Sequence, residues 1–238
     1  MMTEIKEYKL SYGQVKVILH SQIGSFHIKN SLPNQDCYSV IGNHERVIIA
    51  VADGVSSCCN ADNGSKAAVM AANQLLSIEK LSDETIKQTI LEYWQANINY
   101  PATDCCSTLH FIIVCSDKII LGGIGDGMQY CLTDNFFEKM YDDSGFANCT
   151  YALPMKDHFI IRYIESPRSS LIALMTDGIS NEMDESLDIE FGHYLKESLK
   201  NIVGLKEEVE KWVLELQEKN GDDKTIAIVS FEREHKEG

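Results

Sequence analysis

Five short stretches of the chain end an apolar run with an acidic residue beside a glycine or a second polar residue. They are Asn34-Gln35-Asp36, Ala52-Asp53-Gly54, Gly125-Asp126-Gly127, Thr176-Asp177-Gly178 and Gly221-Asp222-Asp223. Four of them abut β-like runs that would carry their aspartates to the edge of a sheet. Carboxylates from segments so distant in sequence repel one another when gathered in space. A hard cation is the usual remedy, because Mg²⁺ and Mn²⁺ prefer oxygen ligands and accept several carboxylates at once. Taken singly, each Asp-Gly pair is explained as a hairpin turn. It is the set that points to a metal site.

Rigid elements are needed to carry those aspartates. The first fifty residues read as strands at Gln14 to His20, Cys37 to Ile41 and Arg46 to Ala52, rich in Val and Ile. Near Asn63 the pattern changes, and Gly64-Ser65-Lys66 opens an Ala-rich helix from Ala67 to Leu76 with apolar positions at helical spacing. A second helix starts at Ser82, an N-cap followed by Asp83 and Glu84, and carries Ile86, Ile90 and Trp94 until Pro101 closes the region. Strands return at Thr108 to Val114, Lys118 to Gly123 and Met128 to Leu132, before a polar, irregular stretch from Thr133 to Lys156. His158 to Ile164 and Ser170 to Met175 read as a strand pair around Pro167. Helices at about Glu185 to Leu199 and Leu205 to Lys219 precede a last strand, Lys224 to Phe231, and a charged tail expected to fray. Strands joined to strands by short turns argue for antiparallel sheets with helices packed outside them. With no repeat or linker, the expectation is one α+β domain over residues 1–238, its core about 10–231 and its tail 232–238.

Composition narrows the function. A chain of 238 residues with 44% apolar residues and four prolines can bury one sizeable core. Its formal charge of −15 argues against non-specific nucleic-acid binding and against adhesion to anionic membranes. The longest apolar run, Val47 to Ala52, is strand-sized, and the start lacks the hydrophobic region of a secretory signal. A cytoplasmic monomer is expected, its eight cysteines reduced. Cys58-Cys59 and Cys105-Cys106 are adjacent, a spacing poorly suited to zinc, so the cysteines read as structural or incidental. Gly122-Gly123-Ile124-Gly125 is followed by no Lys-Ser or Lys-Thr and is not a phosphate loop. His44 and His110 have no partner at metal-ligand spacing, and Trp94 and Trp212 sit on apolar helical faces.

In order, the acidic blocks resemble those of the metal-dependent serine/threonine protein phosphatases, the PPM or type 2C family, and most closely its compact bacterial members. Gly24-Ser25-Phe26-His27 and Pro33-Asn34-Gln35-Asp36 are similar to the family's G-x-x-H...N-Q-D opening. Ile49 to Val55, Gly64-Ser65 before the Ala-rich helix, Ser107-Thr108-Leu109 and Gly125-Asp126-Gly127 follow in family order. Phe146-Ala147-Asn148-Cys149-Thr150, Leu174 to Ile179 and Asp222-Asp223-Lys224-Thr225 complete the series, so the resemblance covers Gly24 to Phe231.

The resemblance implies a four-layer α-β-β-α sandwich, two central antiparallel β-sheets flanked by helices, with two Mg²⁺ or Mn²⁺ ions at one end. It implies that Asp53 bridges both ions, that the Gly54 carbonyl serves one, and that Asp177 and Asp222 hold the other. Asp222 rather than Asp223 is the expected ligand because it lies three residues before Thr225, with Asp223 where the family usually has Asn. Asp36 would orient water and Asp126 would help hold a weaker third ion. The implied reaction is hydrolysis of phosphoserine or phosphothreonine in a protein, by a hydroxide bridging the ions and with no covalent intermediate. Departures concern phosphate binding: Asn30-Ser31-Leu32-Pro33 holds no arginine ahead of the acidic pair, and Val55 stands where many eukaryotic relatives carry histidine. Gln35 replaces a glutamate of those relatives, and Asn181 an additional carboxylate of some members. His27 and Lys29 are the nearest basic candidates for phosphate. Expected partners are a phosphoprotein and an opposing protein kinase. The rival readings are an inactive type 2C-like binding module and a small-molecule phosphomonoesterase, with Thr133 to Lys156 as a flap beside the metals.

Overall fold

In a computed structural model, residues 2–133, 136–141, 150–165 and 167–234 are described. One sheet has the strand order β1 (Met2–Leu10), β2 (Gly13–Gln22), β11 (Lys224–Arg233), β10 (Ser169–Met175), β7 (Met128–Thr133) and β8 (Phe137–Tyr141). The other has the order β3 (Asp36–Gly42), β4 (Val47–Asp53), β5 (Leu109–Val114), β6 (Lys118–Ile124) and β9 (Ile160–Glu165). Every pairing is antiparallel.

Alternation along the central strands builds the layers. On β4, Val47, Ile49 and Val51 face the opposite sheet, while Ile48, Ala50 and Ala52 face the helices α2 (Ala61–Asn73) and α3 (Asp83–Asn97). On β11, Ala227, Val229 and Phe231 enter the same inter-sheet core, while Ile226 and Ile228 lie under α5 (Asp188–Ser198) and α6 (Ile202–Lys219). Both faces of each inner strand are covered, which is why these strands read as unbroken apolar runs. The α2 face is made of Gly64, Ala67, Ala68, Ala71 and Ala72, small enough for Trp94 to reach across and donate its indole N–H to the Gly64 carbonyl at 3.1 Å. The order is helix, sheet, sheet, helix, the expected sandwich. No helix among the described residues is long and apolar enough to cross a membrane.

Several elements differ from the sequence expectation. Residues Met2–Leu10 form an edge strand, unread because Glu4, Lys6, Glu7 and Lys9 break its apolar pattern. The segments around Pro167 are both strands, but not a pair: β9 joins β6 in one sheet and β10 lies between β11 and β7 in the other. Helix α2 begins at Ala61, before its apolar face does. The stretch taken as irregular contains β8, which extends a sheet edge. Residues 142–149, which hold most of the F-x-N-x-T block and the centre of the expected flap, lie outside the described residues.

Candidate metal centre

The ends of both sheets supply the site. Asp36 and Asp53 stand directly opposite in the β3–β4 register, a placement of like charges that is unfavourable by itself. Asp177 follows β10 and opens α4 (Asp177–Ser180), and Asp222 occupies the turn between α6 and β11. Asp126 lies in the turn from β6 to β7, where the chain passes from one sheet to the other. Gly125 in that turn has φ +107°, a left-handed conformation, and a Cβ there would meet the Thr108 side chain at 2.5 Å.

Hydrogen bonds fix these segments. The Asp53 N–H donates to Thr108 Oγ1 at 3.0 Å, and its carbonyl accepts the Thr108 N–H at 2.8 Å and the Ser107 hydroxyl at 2.9 Å. Gly54 N–H donates to the Gln35 carbonyl at 3.1 Å, tying the two acidic blocks together. Thr176 Oγ1 donates to Asp36 Oδ2 at 2.8 Å, and Thr150 Oγ1 to Asp126 Oδ2 at 2.5 Å.

The choice between Asp222 and Asp223 has a structural counterpart. The Asp223 carboxylate is buried and accepts the Gly24 N–H at 2.6 Å and the Gln35 N–H at 2.6 Å, with His27 Nδ1 at 2.8 Å. Its oxygens are committed to holding the first acidic block. Asp222 is exposed and lines a cavity of about 460 Å³ with Asp177, Gly178, His27 and Glu182. Lys224, fully buried, secures that turn by donating to the Asn220 carbonyl at 3.2 Å, Asn220 Oδ1 at 2.6 Å and the Asp222 carbonyl at 2.9 Å.

Burial and mutual repulsion set the electrostatics of the cluster. Burial, opposed by contact with Asp53 and aided by the Asp223 charge, pushes Asp36 up to about 7. Burial, then the charges of Asp222 and Asp126, pushes Asp177 up to about 7. Asp53 keeps partial solvent access, yet the protein around it is dense, and burial followed by the charges of Asp36 and Asp177 holds it well above the usual carboxylate range. Asp36 Oδ1 is buried and has no hydrogen-bond partner among the described residues. An all-oxygen donor set, mutually repelling and with an orphaned oxygen, fits a hard divalent cation. Among the described residues, however, no three Asp, Glu, His or Cys side chains are drawn into an arrangement ready for one ion. The donors are gathered but not closed on a centre.

Asp36, Asp53, Asp177 and Asp222 therefore interact as one cluster, with Asp126 acting on Asp177 from its edge. His27 reaches the cavity wall, but its Nδ1 is engaged by Asp223; Lys29 is exposed on α1 (Ser25–Lys29) and does not line the cavity. The sequence reading missed Thr176, Lys224 and Glu182. Thr176 directly precedes an Asp-Gly pair, a signal available but unused; the buried role of Lys224 contradicts its residue type and gave no signal.

The layers and the acidic sheet ends define the class of fold seen in metal-dependent phosphatases. Comparison with known families makes the assignment: the family described as Protein phosphatase 2C matches residues 23–215, and the chain belongs to it. Among solved structures, the catalytic domain of the serine/threonine protein phosphatase PstP in complex with two manganese ions is 18% identical, with a TM-score of 0.64 over 93% of this chain and 100% of that one. RsbX in complex with magnesium is 13% identical, with a TM-score of 0.62 over 97% and 100%. Stp1 of Staphylococcus aureus, a serine/threonine phosphatase, is 14% identical, with a TM-score of 0.60 over 96% and 95%. At such identities the likeness concerns the fold. No curated protein matches the chain.

Proposed function

We propose that this protein is a Mg²⁺- or Mn²⁺-dependent hydrolase that removes phosphate from phosphoserine or phosphothreonine in proteins, acting as a cytoplasmic monomer opposite a protein kinase. The observation that supports this reading is the convergence of Asp36, Asp53, Asp177 and Asp222: after burial, the charges of Asp36 and Asp177 raise Asp53, and that of Asp222 raises Asp177. Two bound cations would supply water activated near neutral pH and positive charge for the phosphate oxygens. Asp53 and the Gly54 carbonyl would hold them from one sheet, and Asp177 and Asp222 from the other. Asp36, oriented by Thr176, would accept a hydrogen bond from the attacking water. Asp126, oriented by Thr150, would help to hold a weaker third ion. His27 would touch phosphate only through the ring face or nitrogen that Asp223 leaves free, and no thiol is needed for turnover.

The test is hydrolysis of para-nitrophenyl phosphate and of a phosphothreonine peptide with Mn²⁺, with Mg²⁺ and with chelator, beside Asp53→Ala. Metal-dependent turnover that is lost in the variant, with the peptide preferred, is the expected result. Turnover of the small ester alone would indicate a small-molecule phosphomonoesterase. No turnover by a folded sample would make the chain a binding module.

A further inference from the structure

The two adjacent cysteine pairs, distant in sequence, converge in the fold. Cys58 Sγ lies 3.3 Å from the Thr103 carbonyl oxygen, and Cys106 Sγ lies 3.8 Å from that same oxygen and 3.6 Å from the Ala102 carbonyl. The two sulfurs therefore flank one carbonyl oxygen. Their backbones are joined in the same place: Val55 N–H donates to the Cys106 carbonyl at 3.0 Å, and Cys58 N–H to the Val55 carbonyl at 2.8 Å. Both thiols are half-buried and free. Cys59 is exposed and bonded to Asn60 Nδ2, and Cys105 is buried and turned toward Asn63 Oδ1. No three of these thiols are placed for a metal ion among the described residues, so a pairwise reaction is what the placement favours.

We propose that Cys58 and Cys106 form a dithiol modification site that closes to an intramolecular disulfide when the protein meets a low-molecular-weight disulfide. Cys58, as thiolate, attacks one sulfur of the small disulfide and expels the other, which takes up the proton that Cys58 lost. Cys106 then attacks Cys58 Sγ and expels the second small thiol, which takes up the Cys106 proton. The protein thiols lose two electrons, and the small disulfide is reduced to two thiols. Burial and the neighbouring Cys58 thiol push Cys106 up to about 11, which disfavours Cys106 as the first attacker and suits it to the resolving step. The bond would cross-link the two segments that hold Asp53, since Cys58 follows the Asp53–Gly54 strand end and Cys106 precedes the Ser107 and Thr108 groups bonded to Asp53. This proposal does not depend on phosphatase activity.

The full chain, reduced, desalted and held in chelator, is treated with glutathione disulfide, alkylated, and examined by intact mass and non-reducing peptide mapping. The expected product has lost two hydrogens, maps to a Cys58–Cys106 link and reverts with dithiothreitol. Cys58→Ser and Cys106→Ser should each abolish that link, whereas Cys59→Ser and Cys105→Ser should form it within about two-fold of the wild-type rate. A map that joins other cysteines, or only mixed glutathione adducts on the wild-type chain, overturns the proposal. Because the wild-type map decides by itself, a variant that fails to fold does not rescue it.

Discussion

At the residue scale, Asp53 carries the most opposed demands. It faces Asp36 across the β3–β4 ladder and feels the charges of Asp177 and Asp222, so a metal-free chain holds it against repulsion. Asp53→Ala should lower metal-dependent turnover by more than about 100-fold, since even groups that only support a metal ligand cost about 10–100-fold when lost. The same substitution should raise metal-free stability by about 1–2 kcal/mol, or a Tm gain of a few degrees by calorimetry in chelator. A fall in metal-free Tm would show that Asp53 is structurally required. Protonation gives an independent reading. Asp36 and Asp177, raised to about 7, retain protons that the unfolded chain has released, so their contribution to stability falls as pH rises from about 4 through 7, and Asp53 extends the fall upward. His20 and His110, lowered by burial to about 4, act in the opposite sense, but only below 6.5; above it the imidazoles are neutral folded or unfolded. Metal-free Tm should therefore decline between pH 6.5 and 8, and Asp36→Asn should flatten that decline.

At the element scale, the turn between α6 and β11 decides whether Asp222 can serve. Lys224 is buried and, among the described residues, spends its ammonium on three oxygens of residues 220 and 222 rather than on a carboxylate. Lys224→Met keeps the aliphatic bulk but leaves those acceptors unsatisfied, a loss of about 1–3 kcal/mol in the unfolding free energy from a urea melt. It should also raise the Mn²⁺ concentration needed for half-maximal turnover several-fold while Asp222 itself is retained. Unchanged metal dependence with lower stability would limit Lys224 to a structural role. Legibility in the sequence divides along the same lines. Inner strands such as β4 and β10 were readable because burial on both faces leaves runs of apolar residues. The edge strands β1 and β8 were not, because one exposed side admits charges such as Lys6 and Glu138. Asp36, Asp53, Asp177 and Asp222 were legible because each borders a strand-like run, and their convergence is what the structure adds. The convergence of Cys58 and Cys106 on one carbonyl oxygen was not, because it depends on how two loops are brought together beside the Gly54–Ser107 bridge.

For the whole molecule, the site lies where two sheets meet, so a cation there would act on the entire fold. Asp36 and Asp53 belong to one sheet, whereas Asp177 and Asp222 flank strands of the other, so an ion shared by Asp53 and Asp177 ties the sheet ends together. Binding only to the folded chain stabilises it by about 2.7 kcal/mol at a hundred times the dissociation constant. For a chain of this size that is a rise in Tm of about 5–10 °C. The formal charge of −15 supplies a competing cause, since loosely held cations would relieve surface repulsion in any acidic protein. Asp53→Ala separates the two, because it removes one charge of the surface total but the central donor of the cluster. Scanning calorimetry across a Mn²⁺ titration should therefore show a saturable rise in the wild type and a shallow, non-saturating one in the variant. Equal rises in both would place the cations on the surface and count against an ion held by the four aspartates.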